Sequence, residues 1–287
     1  MLAWMGTGLL GANFVRALRK RGEEVQLWNR TGAKAQALGQ EVGAAAFENP
    51  ADAVRGASIV HIALSADDAV DDLLERARPG LTSGVFIIDH TTTSPPLTRE
   101  RVKRWDERGM KFVHAPVMMG PPNALNGTGT MMVSGDKARF DAVADKLKPM
   151  TGSLVYVGPE PDKAACFKLM GNMMLMSVTV AIMESLKLGK AFGMSQTEAA
   201  SMFDWLSTDG QVPARLKRLL EDDFSNPYWE LHMARKDARL MMEASDALTT
   251  MPAVAAAMDR WIAAGREHDD WLIISRGEPQ NDRRQQS

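Results

Sequence analysis

Short apolar runs alternate with helical apolar spacing over the first 150 residues of this 287-residue chain. The runs that have the length and composition of buried strands are Leu2–Met5, Glu24–Trp28, Ser58–Leu64, Val85–Asp89, Lys111–Val117, Thr130–Ser134 and Ser153–Val157. The segments with helical spacing are Leu9–Arg21, Ala33–Leu38, Ala51–Arg55, Asp67–Arg78, Leu97–Arg108 and Ala138–Lys148. This alternation predicts an α/β fold, a doubly wound and mostly parallel sheet with helices on both faces.

The pattern changes after Gly158, where strand signals end and helical spacing takes over. A long helix is predicted at about 161–193, because Pro161 suits a first turn and Gly193 suits the position after the last. Shorter helices are expected near 195–206, 211–221, 229–246 and 252–265. We therefore predict an α/β domain at 1–158, an all-helical domain at 159–276 that begins with the long helix, and a disordered polar tail at 277–287.

The longest apolar stretch runs from Leu169 to Met183 within that helix. Gly171, Asn172, Ser177 and Thr179 interrupt it. Because a membrane span needs about 20 mostly apolar residues, this stretch is too short and too polar for one. We expect instead a helix that protein buries on all sides, with methionines as flexible core filler.

Net charge and composition limit the classes of binding partner that this chain suits. The net charge of −2 and the pI of about 6.2 argue against nucleic acid or an anionic membrane. One cysteine, Cys166, excludes an intrachain disulfide and favours a reducing, cytoplasmic setting; no signal peptide is recognised. The five histidines lack the spacing of metal ligands, so no metal is predicted. His61 is expected in the core and His90 in a loop turn.

A glycine-rich turn, Gly6-Thr7-Gly8-Leu9-Leu10-Gly11, joins the first predicted strand to the first predicted helix. Gly6 permits a tight turn, Gly8 lets the backbone approach a pyrophosphate, and Gly11 lets the helix pack close to the sheet. The free N–H groups and positive dipole of the helix N-terminus then face the phosphates. The turn predicts a dinucleotide cofactor; the alternative is a structural turn that binds none.

The second predicted strand ends in Asn29-Arg30-Thr31, and Lys34 follows one turn later. Sites specific for NAD usually carry an acid here, which would repel a 2′-phosphate. Arg30 can bind that phosphate through charge-assisted contacts. We therefore predict NADP(H) rather than NAD(H). The alternative is that these cations are solvated surface charges, which leaves the preference open.

Lys168 and Asn172 lie four residues apart on the long helix and so share one face. Reduction of a carbonyl group needs a hydride on carbon and a proton on oxygen. A lysine ammonium in a partly apolar cleft can donate that proton, because burial lowers its pKa towards neutrality. Asn172 can orient the substrate oxygen without adding charge. The alternative for Lys168 is a surface lysine that extends from a buried stripe.

The order of these motifs resembles the β-hydroxyacid dehydrogenase family, which includes 3-hydroxyisobutyrate dehydrogenase and tartronate semialdehyde reductase and has an NAD-binding domain like that of 6-phosphogluconate dehydrogenase. The segments that carry the resemblance are Gly6–Gly11 with Asn29–Thr31, Asp89–Pro95, Ala115–Gly120 with Gly127–Thr128, Lys168–Asn172 and Lys236–Asp237. The likeness covers residues 1 to about 275.

The resemblance implies a Rossmann domain, a long interdomain helix and an all-α C-terminal domain that often dimerises, so a homodimer is expected. It implies Lys168 as the catalytic lysine, with Asn172 in support. The further cofactor contacts that it implies are Leu64, Ser65, Thr92 and Lys236. The residues expected on the substrate side are Thr91, Met118, Met119, Gly120 and Asp237.

Two segments depart from the family pattern. Where the family usually has Ser-Gly-Gly to hold the substrate carboxylate, this chain has Met118-Met119-Gly120. The pocket should therefore be more apolar, although backbone N–H groups could still bind an anion. The segment before Lys168 lacks the two glycines usual in the family and is one residue longer, which is similar to imine reductases.

We predict an NADP(H)-dependent oxidoreductase that transfers hydride between nicotinamide and a small aldehyde or β-hydroxyacid, with Lys168 as general acid and base. The alternative is an NADPH-dependent imine reductase. Those enzymes usually carry an aspartate or tyrosine at the position of Lys168, and Asp89–Pro95 fits the dehydrogenases better. A third possibility is a nucleotide-binding protein without turnover, which the retained Lys168 and Asn172 argue against.

Overall fold

The computed structural model of the chain describes residues 1–279. Residues 280–287 of the predicted disordered tail lie outside the described residues. The chain divides into two compact units, Met1–Met173 and Met174–Ser287, and the boundary falls within the long helix. The domain bounds at 158 and 276 stay a prediction.

The first unit contains two sheets. Their strands, β1 to β9, are Leu2–Met5, Val25–Trp28, Ala45–Ala46, Ile59–Ile62, Phe86–Asp89, Lys111–His114, Val117–Met118, Thr130–Val133 and Ser153–Tyr156. Six parallel strands form one sheet in the order β3-β2-β1-β4-β5-β6. The other sheet has the order β7-β8-β9, in which β7 and β8 are antiparallel. The strand order reverses between β1 and β4, where doubly wound sheets bind their ligands.

Helices cover both faces of the large sheet and make up the second unit. The α-helices, α1 to α13, are Leu9–Lys20, Gly32–Val42, Pro50–Val54, Asp67–Ala77, Pro95–Glu107, Pro121–Asn126, Lys137–Leu147, Lys163–Ala191, Gln196–Ala200, Met202–Trp205, Gln211–Glu221, Leu231–Ala244 and Met251–Ala263. Short 3₁₀ turns lie at Arg78–Gly80, Lys148–Met150 and Trp271–Arg276.

Alternate residues of β1 enter two separate cores. Leu2 and Trp4 pack in one apolar cluster, whereas Ala3 and Met5 pack in another. Side chains of a strand point alternately to opposite faces of its sheet, so both faces are covered. The predicted fold class, a doubly wound parallel sheet followed by a helical part, is confirmed.

The structure differs from the predicted elements where proline or alanine weakens the pattern. The run predicted at 111–117 breaks at Pro116, which has no N–H to donate, and its end joins the second sheet as β7. The helix Pro121–Asn126 begins with two prolines and was not predicted. The strand Ala45–Ala46 was also missed, because two alanines show no strand pattern.

The long helix Lys163–Ala191 is not buried on all sides within the single chain, so its burial by protein stays a prediction that requires a partner. Its most apolar window of 18 residues has a mean hydropathy of 1.5 and is 0% buried. By length and composition alone this helix could cross a membrane, contrary to the reading of the sequence as too short and too polar. Met173, Leu175 and Met176 are 65%, 61% and 67% exposed. Any cover for this face comes from outside the single chain.

The second unit has its own core and an open apolar groove. Phe224, Leu231, Met258 and Trp261 belong to the core cluster. The groove has a volume of about 1000 Å³ and lies within residues 176–251. Its apolar lining and the exposed helix face together leave much hydrophobic surface in the single chain.

Candidate functional site

The glycine turn after β1 is shaped by two close approaches. Gly6 has φ +109°, and a Cβ there would lie 2.2 Å from the carbonyl oxygen of Ala63. A Cβ at Gly11 would lie 2.1 Å from the carbonyl oxygen of Gly6. Gly8 differs, because a Cβ there would meet no atom within 4 Å. The open position at Gly8 is where a phosphate group can approach the backbone.

Gly8 is also the N-cap of α1, and no side chain caps that helix. Its first N–H groups therefore stay available to an anion. Leu9 is 82% exposed and Leu10 is partly buried, so Leu9 lies at the open side of the turn. This arrangement fits the pyrophosphate of a dinucleotide.

Asn29 fastens the turn to the end of β2. Its Oδ1 accepts a hydrogen bond from the Thr7 N–H at 3.0 Å, and its amide donates to the Thr31 carbonyl at 3.0 Å. The N–H of Gly6 donates to the Trp28 carbonyl at 2.8 Å. Asn29, predicted as a cofactor contact, thus supports the shape of the turn.

Arg30 and Lys34 follow β2 and are exposed. Within residues 1–279, no ion pair engages either side chain. In the described structure no carboxylate neutralises these two cations beside the position expected for the ribose.

Thr91 is held by three hydrogen bonds just beyond β5. Its N–H donates to Oδ1 of Asp89 at 2.9 Å, and its carbonyl accepts from Nε2 of His114 at 3.0 Å. Its hydroxyl oxygen accepts from the N–H of Leu64 at 3.0 Å. The Thr91 hydroxyl hydrogen stays available to donate, while the oxygen is fixed in place.

The next residues of this loop alternate in exposure. Thr93 is buried, and its hydroxyl lies 2.7 Å from that of Thr98. The N–H of Ser94 donates to Oδ2 of Asp67 at 2.9 Å. Thr92 between them is exposed, as is Ser65 after β4. Because β1, β2, β4 and β5 are parallel, the loops after β4 and β5 lie at the carboxyl-terminal edge of the sheet, where the glycine turn after β1 also lies.

Buried titratable groups lie directly behind the loop. Burial raises the pKa of Asp89 to about 6 and lowers the pKa values of His90 and His114 to about 4. Nδ1 of His90 donates to the Ala115 carbonyl at 2.8 Å, so its Nε2 accepts from Nδ1 of His61 at 3.0 Å. His61 is a core residue as predicted, and His90 lies in the loop after β5, where it is also buried.

The start of the long helix is anchored to the first unit, and this anchoring positions Lys168. The N–H of Ala164 donates to Oγ of Ser134 at 3.0 Å, and the Ser134 hydroxyl donates to the Pro161 carbonyl at 3.1 Å. Asp162 is buried and binds Arg99 at 2.8 Å. These contacts fix the first turn of the helix that carries the lysine.

Lys168 is half-buried, and burial lowers its pKa. Within the first unit its Nζ donates only to Sδ of Met118, at 3.6 Å. A thioether is a weak acceptor and does not neutralise the ammonium. Asn172 is partly buried four residues further on, on the same face of the helix.

The segment predicted to hold a substrate carboxylate offers few donors. Met118, Met119 and Gly120 are each partly buried. The N–H of Gly120 donates to Oδ1 of Asn123 at 2.9 Å. Asn123 was not predicted as a site residue, and its position behind two prolines gave no signal.

Lys236 and Asp237 lie on α12 in the second unit. Their side chains form an ion pair with an N···O distance of 2.9 Å, and Lys236 is exposed while Asp237 is partly buried. Their roles towards cofactor and substrate stay a prediction.

Three possible metal ligands also meet in the second unit, although the histidine spacing predicted none. They are Glu230, His232 and His268. Glu230 pairs with His232 at 3.4 Å and with His268 at 3.8 Å. Nδ1 of His232 already lies 3.1 Å from the Glu267 carbonyl, to which it donates. We interpret the group as polar contacts of side chains near the surface.

Comparison with known proteins places the chain in a family. A family model described as the NAD binding domain of 6-phosphogluconate dehydrogenase matches residues 1–158. An uncharacterised oxidoreductase of Shewanella frigidimarina is 25% identical over 264 residues, which cover 91% of this chain and 90% of the relative. The human cytokine-like nuclear factor N-PAC is 28% identical over 89% of this chain, which spans 46% of N-PAC.

Solved structures share the fold at low sequence identity. An imine reductase from Myxococcus stipitatus in complex with NADP⁺ has a TM-score of 0.88 at 20% identity, covering 96% of this chain and 99% of its own. A reductive aminase from Aspergillus terreus in complex with NADPH has a TM-score of 0.85 at 21% identity, covering 96% and 98%. The resemblance stated from the motifs, with its secondary likeness to imine reductases, is confirmed. The chain belongs to the family of the NAD-binding domain of 6-phosphogluconate dehydrogenase and is a pyridine nucleotide-dependent oxidoreductase.

Proposed function

We propose that this oxidoreductase uses NADP(H) to reduce a small aldehyde, or to oxidise the corresponding hydroxy compound such as a β-hydroxyacid. The observation that carries the proposal is the half-buried ammonium of Lys168, which within the first unit has no carboxylate partner. An ammonium held in this way can give up its proton when an oxyanion develops beside it.

Lys168, Asn172 and Thr91 have different roles in the proposed reaction. The bound nicotinamide supplies or accepts the hydride. Lys168 donates a proton to the substrate oxygen in reduction and accepts it in oxidation. Asn172, on the same helix face, orients that oxygen. The fixed hydroxyl of Thr91 supplies a further donor at the edge of the sheet.

The preference for NADP(H) is proposed from charge. Arg30 and Lys34 are exposed after β2, at the position where sites specific for NAD carry an acid. An unpaired guanidinium can bind a 2′-phosphate through two N–H groups. The solved neighbours bound to NADP⁺ or NADPH support this preference, although one neighbour is a complex with NAD⁺.

Imine reduction is the second candidate, and the overall likeness to imine reductases and a reductive aminase favours it. Charge argues for the carbonyl substrate. An iminium substrate is already a cation, which the ammonium of Lys168 would repel. A carbonyl oxygen gains negative charge during hydride addition, which the same ammonium stabilises.

The test is oxidation of NADPH and NADH against glyoxylate, succinic semialdehyde, methylmalonate semialdehyde, tartronate semialdehyde and a cyclic imine. Oxidation of NADPH with an aldehyde supports the proposal. Turnover of the imine alone would assign the chain to the second candidate. Tight NADPH binding without any turnover would favour the binding-only role.

We further propose that the protein acts as a homodimer in the cytoplasm. The exposed apolar face of the long helix needs cover, and that helix also carries Asn172 and Thr179, which suit a protein partner better than lipid. The single cysteine agrees with a reducing compartment.

A further inference from the structure

We infer that Met118 and the turn after it exclude a substrate carboxylate, so that the substrate is an uncharged, apolar carbonyl compound. This inference rests on the proposed reduction and names its substrate class. It departs from the small hydroxyacids that the resemblance implies.

From Gly120 to Ala124 every backbone N–H group has a hydrogen-bond partner within the turn. Gly120 donates to the side chain of Asn123 at 2.9 Å. Pro121 and Pro122 have no N–H. Asn123 and Ala124 donate to the Gly120 carbonyl at 3.0 and 3.2 Å. The expectation that backbone N–H groups of this segment could bind an anion therefore fails from Gly120 to Ala124.

The side chain of Met118 fills the space beside the lysine. A Cβ at Gly171 would lie 2.2 Å from Cε of Met118, so the thioether packs directly against the bare backbone of the helix. Its sulfur lies 3.6 Å from Nζ of Lys168. Met118 thus replaces a hydroxyl donor with a group that donates nothing.

A carboxylate needs several hydrogen bonds when it leaves water, and burying it without them is costly. In this segment the thioether and the two prolines supply none. Lys168 lies beside Met118, and the reacting oxygen needs the proton of this ammonium. An uncharged alkyl chain instead gains from contact with the methionine, whose flexible side chain adapts to it.

The test compares butanal with succinic semialdehyde, which have the same chain length and differ at the far end in a methyl group or a carboxylate. We expect the kcat/KM of the wild-type protein with NADPH to be about tenfold or more higher for butanal. Met118→Ser should shift this ratio about tenfold towards the acid, since it restores a hydroxyl donor and opens space. Met118→Leu keeps an apolar side chain of similar size and should leave the ratio unchanged.

Leu125→Ser is the matched control, because Leu125 is 41% exposed and lies on the helix Pro121–Asn126 that follows the same turn. It should not change the ratio. A wild-type preference for succinic semialdehyde, or equal shifts in the two serine variants, would overturn the inference while leaving the proposed reduction intact.

A binding measurement separates the two failures. Butyramide and butyrate are titrated into the protein–NADPH complex, and the change in NADPH fluorescence is followed. If neither aldehyde is reduced, the proposed function fails; tighter binding of butyramide still supports the apolar site, and tighter binding of butyrate overturns it.

Discussion

A Cβ at Gly11 would lie 2.1 Å from the carbonyl oxygen of Gly6, within the same turn. That contact involves backbone, which cannot rotate away as a long side chain would. The helix α1 therefore approaches the turn as closely as it does only because residue 11 lacks a side chain. At Gly8, three residues earlier, an added Cβ would meet no atom within 4 Å.

Replacing these two glycines should separate folding from cofactor binding. Gly11→Ala should lower the free energy of unfolding by about 1–3 kcal/mol, because the turn or helix must move. Gly8→Ala should keep the stability of the wild type but weaken NADPH binding, since the added methyl group occupies the space for the phosphate. Denaturant unfolding and NADPH titration check both. Normal NADPH affinity in Gly8→Ala would contradict the assignment.

Removing the lysine ammonium should stop the chemistry and spare the cofactor. Lys168→Ala should lower kcat by about 10²–10⁴-fold, the usual contribution of a positioned acid. NADPH affinity should stay within about twofold, because Lys168 acts on the substrate oxygen. Lys163→Ala is the control, since Lys163 is on the same helix and pairs with Glu160 at 3.2 Å.

Wild-type reduction should also fall as the pH rises through the lowered pKa of Lys168, below its ordinary value of 10.5. Full turnover in Lys168→Ala would refute the mechanism.

Loss of the guanidinium after β2 should change cofactor choice more than turnover. Arg30→Ala should lower the NADPH-to-NADH ratio of kcat/KM by about 10–100-fold, which corresponds to a charge-assisted hydrogen bond. Arg55→Ala is a suitable control, because Arg55 is also exposed and pairs only with Asp52 at 3.2 Å. An unchanged ratio in Arg30→Ala would mean that Arg30 is a solvated surface charge.

The elements of the first unit follow closely from its sequence pattern, because buried strands and amphipathic helices have distinct periods. The predicted Leu2–Met5 strand and the helix that begins at Leu9 have the same starts in the structure. The two-residue strand Ala45–Ala46 was not predicted, since a strand that short shows no periodic pattern.

The candidate site was predicted less completely. Glycines and charged residues such as Gly6 and Lys168 can be identified as site candidates from their residue type and spacing. The support that Asn123 and His114 give depends on hydrogen bonds between residues distant in the chain, and no local pattern encodes those. The exposure of the long helix was also not predicted. An apolar pattern indicates that a helix face needs to be covered, but it does not indicate which molecule covers it.

The free energy of unfolding should decrease on acidification, and the buried histidines and Asp89 change it in opposite directions. His90 and His114 have pKa values lowered to about 4, so their stabilising effect is complete above pH 6.5 and is lost as the pH falls through about 4. Asp89, with its pKa raised to about 6, acts in the opposite sense: its contribution is present below pH 3.8 and is lost as the pH rises through about 6. Each shift corresponds to about 3 kcal/mol.

Burial also lowers the pKa of His61, so three histidines oppose one aspartate between pH 6 and pH 4, and the free energy of unfolding should decrease. Asp89→Asn keeps an oxygen to accept from the Thr91 N–H but cannot titrate, so the decrease should become steeper. Urea unfolding at four pH values measures the slope. A shallower slope in Asp89→Asn would show that the assigned sign is wrong.

Charges on the long helix should prevent association if its exposed face is the dimer contact. Leu175→Glu combined with Met176→Glu should convert a dimer into a monomer, because both residues are more than 60% exposed in the single chain. Light scattering after size-exclusion chromatography gives the mass. Leu97→Glu on the first unit is the control and should remain dimeric; a wild-type monomer, or wild-type protein that floats with lipid vesicles, would contradict the proposal.

The hydrogen bonds around Thr91 and Ser94 have a consequence for how this site can change over generations. Thr91 is hydrogen-bonded to Asp89 and Leu64, Thr93 to Thr98 and Ser94 to Asp67, so mutations among these three residues alter the fold and the site together. Thr92 is exposed and can vary without that penalty. Among the residues from Thr91 to Ser94, natural variation is therefore tolerated best at Thr92, where it leaves these hydrogen bonds intact.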